Sequence, residues 1–336
     1  MLIGPAPINV GGISMHLRRL METMEPFCTF DFIDEGRKRS DGYFYLRSLN
    51  LFKYLKKVLA ADVVHINSGA FILRLMNTIV CRLLLRKYTV VTIHRDPTIE
   101  SHVGLTKFVL SCCNEVIAVN KNGYNLLKSD TKCNYHLLPA FLPPVLSREP
   151  ELDDELRNWV DGVRSVPEAK LMVSNASALV FLHGEDVYGI DMCLEAMKKL
   201  VESGNRNYFL LFVIVQCDFP DTLNKYKKFI ADNNLHSNVM LLEKPCSFVR
   251  LMSESDIVLR TTNTDGDSIT VREALALGVP IIASDVVERP EGTVLFKTRD
   301  VDSLVNIIKE TAQGGNCEAV EDTCDYVEVY SKIYRL

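Results

Sequence analysis

The chain has 336 residues, 47% apolar and 24% charged, an ordinary globular composition that excludes a collagenous, low-complexity or disordered protein. At ~100–200 residues per domain, this length implies two domains. The net charge of −5 conceals an asymmetry: residues 1–150 hold 19 Lys and Arg against 12 Asp and Glu, and the remainder holds 19 against 31.

Short β-rich runs alternate with longer helical patterns. Leu2–Gly4 reads as a truncated first strand, followed by a loop and a helix over Ile13–Met24. A strand over Phe27–Ile33 follows, then a helix over Tyr43–Leu59, a strand over Asp62–Ile66 and a helix over Phe71–Arg86. Tyr88–His94 and Glu115–Val119 read as strands with a helical pattern between them. This βαβα alternation predicts an α/β fold with a parallel, doubly wound sheet, and such sheets gather ligand-binding loops at the carboxyl ends of their strands. Prolines 139, 143, 144 and 150 then mark an interdomain linker over Leu138–Glu168 with one embedded helix. A second series runs strand Lys170–Ser174, helix Ile190–Glu202, strand Tyr208–Val215, helix Thr222–Asn233, strand Val239–Glu243 and helix Ser247–Glu254. It continues with strand Asp256–Thr261, helix Ser268–Leu277, strand Pro280–Ser284 and helix Val301–Thr311, and Tyr326–Leu336 reads as a last helix. The expected organisation is a first Rossmann-like domain over 1–150, a second over 151–318, and a C-terminal helix over 319–336 that returns to the first domain. The two domains are expected to face each other across a cleft.

Ten cysteines are scattered without a CxxC motif, which suits buried, reduced thiols of a cytosolic protein better than a disulfide framework. Met1-Leu2-Ile3-Gly4 runs into a Gly/Pro loop and does not read as a signal peptide. The longest apolar stretch, Ala70–Leu85, is interrupted by Arg74, Asn77 and Arg82 and falls short of the ~20 residues that span a bilayer.

The stretch from Asp256 to Ser284 carries the chemistry. A strand ends near Thr261, and the loop Asp265-Gly266-Asp267-Ser268 opens a helix that contains Glu273 and stops at Gly278-Val-Pro280. Asp and Ser at a helix start cap orphan N–H groups, and a free helix N-terminus binds phosphate through those N–H groups and the dipole. A merely structural capped helix is the plainer alternative. The segment Asp265-(7)-Glu273-Ala-Leu-Ala-Leu-Gly-Val-Pro resembles the signature of the retaining glycosyltransferase family 4 of the GT-B fold. It departs at the first position, where the family usually has Glu.

The resemblance implies that Glu273 accepts hydrogen bonds from the nucleotide's ribose, and that Asp265 contacts hydroxyls of the donor sugar. Gly266, Asp267 and Ser268 would shape the donor loop, and the N–H groups of Ile269 and Thr270 would hold the diphosphate. The family's Arg and Lys near the start of the second domain are replaced here by Asn175 and Tyr188. Arg260 is therefore the candidate cation for the leaving diphosphate, with Arg272 and Arg289 behind it. An Arg fork matches diphosphate geometry; the alternative for Arg260 is an ion pair with Asp265 or Asp267. In the first domain, Gly11 and Gly12 resemble the family's glycine-rich loop beside donor or acceptor, and His94 stands where the family often has a sugar-contacting histidine. For His65 a buried, satisfied histidine competes at least evenly with a site role, and His16 on the first helix fits the commoner structural case.

Asp265-Gly-Asp267 also spells a metal-binding triplet, but its place at the start of this helix leads us to expect no metal and no cofactor beyond the nucleotide-sugar co-substrate. The expected enzyme is a hexosyl- or N-acetylhexosaminyltransferase using a UDP-sugar donor. The expected acceptor is a glycan or lipid-linked glycan of bacterial surface polysaccharide synthesis, and no nucleic acid is implied. The basic, aromatic stretch Tyr43–Lys57, and the cations Arg74, Arg82, Arg86 and Lys87, fit either a solvated helix edge or peripheral contact with an anionic membrane. The expected location is the cytoplasm, at the inner face of the membrane. A nucleotide-sugar epimerase of the same architecture and a non-catalytic nucleotide-sugar-binding protein remain as rivals. A dinucleotide-dependent oxidoreductase ranks below them, because the first strand lacks a following Gly-x-Gly-x-x-Gly.

Overall fold

A computed structural model describes residues 1–8, 12–94, 102–128, 133–217, 219–265, 268–314 and 324–336. The chain forms two compact α/β units: Met1–Leu142 together with the last helix, and the stretch from Pro143 through the helix Val301–Gln313.

In the first unit, β1 (Leu2–Gly4) leads to α1 (Gly12–Met24), β2 (Phe32–Asp34) and β3 (Phe44–Tyr45). Then come α2 (Leu51–Ala60), β4 (Val63–Ile66), α3 (Phe71–Thr78), β5 (Tyr88–Ile93), α4 (Val103–Ser111), β6 (Glu115–Ala118), α5 (Lys121–Leu127) and β7 (Asn134–Leu137). The strands form a parallel sheet of order β3-β2-β1-β4-β5-β6-β7. Its direction reverses between β1 and β4, which places a topological switch point at their carboxyl ends.

Several boundaries differ from expectation. Residues 27–31 are not strand, because α1 unwinds through turns in which the N–H groups of Phe27 and Cys28 bond back to Met24. The amphipathic stretch 43–59 begins with the two residues of β3 and a 3-10 turn, Leu46–Ser48, before α2 starts under the Asn50 side chain, which accepts from the Lys53 N–H. Helix α3 passes into a π-helical segment, Ile79–Leu84. The helix α5 and the edge strand β7 were not anticipated.

The second unit opens earlier than the sequence suggests. α6 (Asp154–Arg164) is capped by Asp153, and its Leu156, Val160 and Val163, spaced four and three apart, enter the core. Arg250 ties the preceding strand of chain down by donating to the carbonyls of Leu146 and Glu149. The supposed linker from Pro143 onward is thus built into this unit. β8 (Lys170–Ala176), the hairpin β9 (Phe181–Leu182) and β10 (Glu185–Asp186), α7 (Ile190–Glu202), β11 (Tyr208–Ile214), α8 (Pro220–Asp232) and β12 (Val239–Leu242) follow. The remainder comprises α9 (Phe248–Ser253), β13 (Ile257–Arg260), α10 (Ile269–Ala276), β14 (Ile281–Ser284), β15 (Val294–Phe296) and α11 (Val301–Gln313). The main sheet is parallel, of order β12-β11-β8-β13-β14-β15, and reverses between β8 and β13. All seven residues of β11 are buried, as expected of a parallel strand covered on both faces.

The last helix, α12 (Tyr326–Tyr334), returns to the first unit. Its Tyr326, Tyr330, Ile333 and Tyr334 share a core with Leu17 and Leu20 of α1 and Leu2 of β1.

Candidate functional site

The switch point of the second unit assembles most of the anticipated residues. Asn175 lies at the end of β8, Arg260 at the end of β13 and Ser284 at the end of β14, on three adjacent strands. α10 starts beside them: Thr270 Oγ1 donates to Asn175 Oδ1 across 3.3 Å. In the first turn of a helix the N–H groups have no intrahelical acceptor, and the first such bond in α10 is Arg272 N–H to Ser268 O. The N–H groups of Ile269 and Thr270 are therefore donors without an intrahelical partner. Ser268 occupies the N-cap with its hydroxyl buried, making no cap bond and no other hydrogen bond among the described residues. A buried hydroxyl without a partner costs ~1–3 kcal/mol unless a ligand engages it.

The helix ends as its sequence implies. Gly278 takes φ +69°, its N–H bonds to Leu275 O, and the Val279 N–H reaches back to Ala274 O, the paired bonds of a Schellman stop. Glu273 is buried in the second turn of α10. Gly11, Gly266 and Asp267 lie outside the described residues. Gly12 opens α1 in the first unit.

The charged centre is a clamp around Asp265. Arg260 donates to it from Nε (3.0 Å) and Nη2 (2.9 Å), Arg289 from Nη1 (2.8 Å), and Thr262 from its hydroxyl (3.2 Å). Burial pushes the Asp265 carboxyl up, but the guanidiniums of Arg260 and then Arg289 override it and hold the group below the usual carboxylate range. The Arg289 side chain is 2% exposed and also donates to Ser284 O, so it serves as an internal strut. Arg260, 13% exposed in its side chain, lies over the Tyr188 ring at 5.3 Å, a favourable place for a cation. The ion pair weighed for Arg260 is thus present. It engages Nε and Nη2, and the rest of the five-donor fork carries further N–H groups. Sequence reasoning ranked Arg289 low and missed Thr262; the signal for both was their position just after strands at the switch point.

The approach to this centre is set by Gly189, which precedes α7 at φ +69°. A Cβ there would lie 2.3 Å from Thr261 O, so only glycine lets the start of α7 reach the end of β13. Asp186 fixes the same turn, accepting from the N–H groups of Tyr188 and Ile190 and from the Tyr226 hydroxyl. Burial raises its carboxyl pKa.

In the first unit, polar groups gather at the other switch point. His94 follows β5 and bonds through Nε2 to Asn67 Oδ1 at 3.0 Å. Its ring meets His16 edge-on, with centroids 5.4 Å apart. His16 is buried with both ring nitrogens unpartnered among the described residues, and burial, then the nearby Arg19 charge, lowers its pKa to about 4. His94 is also lowered, by burial and then by His16. His65 is structural: it bonds Tyr334 of α12 and Thr92 at 2.7 Å each.

The fold is GT-B. Residues 178–313 match the family model "Glycosyl transferases group 1", which makes the second unit a glycosyltransferase domain. A glycosyltransferase from Rickettsia africae ESF-5 superposes with a TM-score of 0.66 at 16% identity, over 92% of this chain and 87% of that one. Anabaena HepE in complex with UDP gives 0.62 at 14% identity, over 92% and 88%. Sucrose-phosphate synthase from Thermosynechococcus elongatus gives 0.57 at 16% identity, over 92% and 88%. No curated protein matches. The matched segment spans Arg260, Asp265, α10 and Arg289, so the clamp and the open helix start belong to the glycosyltransferase domain of this GT-B chain.

Proposed function

We propose that this GT-B protein transfers a sugar, with retention of anomeric configuration, from a UDP-sugar to an acceptor hydroxyl. The observation that carries the reading is the start of α10: uncommitted N–H groups and the buried, unpartnered Ser268 hydroxyl lie beside an Arg260 held in place by Asp265. A diphosphate satisfies these donors and meets the helix dipole, and Glu273 in the next turn suits a vicinal diol of ribose. UDP is bound by Anabaena HepE, whose fold is similar. As the donor bond breaks, negative charge grows on the departing diphosphate, and preorganised N–H donors with a fixed guanidinium stabilise it. The acceptor attacks on the face from which the diphosphate leaves, and positioning supplies much of the acceleration.

In this reading Asp265 orients Arg260, since its oxygens are already taken by two guanidiniums and a hydroxyl. Those cations also occupy the carboxylate that a divalent metal would need, so transfer proceeds without metal. Hexose or N-acetylhexosamine is the transferred unit. The acceptor is a lipid-linked glycan of surface polysaccharide synthesis, bound by the basic first unit at the cytoplasmic face of the membrane.

Incubating the protein with a panel of UDP-sugars, with and without lipid-linked acceptors, tests the reading. UDP release that depends on acceptor, survives EDTA, and yields an α-linked product from an α-linked donor is expected. Conversion of the donor to an epimer without acceptor would establish the epimerase instead, and binding without turnover would establish a non-catalytic protein.

A further inference from the structure

The helix layer on one side of the first unit's sheet has an unusual outer face. α2, the α3–π segment and α4 lie on the same side, because Tyr54, Val58, Cys81 and Leu110 enter one core with Ile3, Val64 and Val91, whereas α1 and α12 pack in the other. Away from that core, large apolar side chains face outward. Phe52 is 80% exposed, Ile72 73% and Phe108 64%. Ile72, Met76, Ile79 and Leu83 are all exposed and recur at spacings of four, three and four, which aligns them along one helix face. This row on the α3–π segment, with exposed Phe52 on α2 and Phe108 on α4, marks an interaction surface rather than scattered exposed residues.

The charge of the layer identifies its partner. α2, α3, the π segment and α4 contain six Lys or Arg and no Asp or Glu, unlike the mixed helices of the second unit, such as α7. Lys53, Lys56, Arg86 and Lys107 make no ion pair among the described residues. A second copy of the chain would bring cations against cations across a two-fold axis. Exposed apolar side chains on the same segments as the unpaired Lys53, Lys56, Arg86 and Lys107 instead match the interface of an anionic bilayer, where rings and aliphatic chains enter the acyl boundary and lysines meet head groups. No described helix is long and apolar enough to cross a membrane, so attachment through this face is peripheral.

We propose that the outer face of α2, α3 and α4 docks the protein on an anionic lipid surface. The inference places the membrane contact of the proposed function on named residues, and its test needs no turnover, so either can fail without the other. The whole chain is sedimented with phosphatidylcholine vesicles, with and without phosphatidylglycerol as about one-third of the lipid. Binding about tenfold tighter to the anionic vesicles, and weakened by added salt, is expected. Phe52→Glu, Ile72→Glu and the pair Lys53→Glu/Lys56→Glu should each weaken it by about tenfold. These side chains are exposed, so the variants should keep the parent's circular dichroism and melting. Equal binding to both vesicle types, no binding, or binding unchanged in all three variants would overturn the proposal. So would a concentration-dependent dimer dissolved by Phe52→Glu, or capture by an acidic protein with no affinity for vesicles.

Discussion

Asp265 holds two guanidiniums at once, and the two have different tasks. Arg289 is almost wholly enclosed and bonded to Ser284 and Thr262 as well, whereas Arg260 is the more open of the pair and rests on Tyr188. Removing Arg260 should therefore affect chemistry more than folding. Arg260→Ala is expected to lower kcat for transfer about 100-fold, in the range found for losing one preorganised donor to developing charge, with a smaller change in donor KM. Steady-state kinetics with the preferred UDP-sugar would read this; an unchanged kcat would remove Arg260 from the mechanism. Asp265→Ala should behave differently, because it leaves buried charge unpaired. A stability loss of about 3–5 kcal/mol is expected, measured as a shift in the denaturant midpoint. Asp265 and Glu273 were visible in the sequence, since their spacing and the Gly-x-Pro stop are local features, whereas Thr262 was missed and Arg289 stood low. The pairing around Asp265 was not visible. It depends on the turn after β13 bringing Asp265 back onto Arg260, and on β14 delivering Arg289 from 24 residues away.

At the scale of elements, the start of α7 is the least forgiving joint. Gly189 has a left-handed backbone and no room for a Cβ against Thr261 O. Gly189→Ala should cost at least ~2 kcal/mol, combining backbone strain with the steric conflict, and should lower donor affinity by shifting Tyr188 from beneath Arg260. Thermal melting together with a UDP titration would show both losses; a variant that melts like the parent would refute the close approach. Elements with a strong repeating pattern were legible. β11 is seven consecutive buried residues, and α10 ends in a Schellman stop. The missed elements are short or half-exposed. β3, β9 and β10 have two residues each, and β7 is an edge strand with no fully buried residue. Such strands exist because a neighbour supplies the pairing, and nothing in their own residues announces it. The π segment after α3 likewise keeps a helical pattern while its hydrogen bonds reach back five residues instead of four, as from the Leu85 N–H to Val80 O.

For the molecule as a whole, acid should act first on the unit with the buried histidines. His16, His65 and His94 all lie in the first unit, and burial lowers the pKa of each. A histidine held neutral in the fold but protonated near 6.5 when unfolded makes the unfolded state the stronger proton binder below that pH, so stability falls as pH drops from about 6.5 towards 4. His16 alone would withdraw about 2 kcal/mol by pH 5. Glu35, raised by burial, opposes the trend. Hydrogen exchange in β1 and β5, corrected for intrinsic rates, should accelerate between pH 7 and pH 5 more than exchange in β11, and His16→Leu should reduce the difference. Equal acceleration in both units would contradict this account.

The return of α12 has a consequence for how the protein is made. The second unit occupies one continuous stretch of chain, so it can close while the ribosome is still working. The first unit cannot: the partners of Leu2, Leu17 and His65 include Tyr330 and Tyr334, which emerge some three hundred residues after β1. The first unit is thus begun before the second and completed after it, and its apolar α1 face stays uncovered until α12 is made. A frameshift ahead of α12 would damage the first unit more than the second.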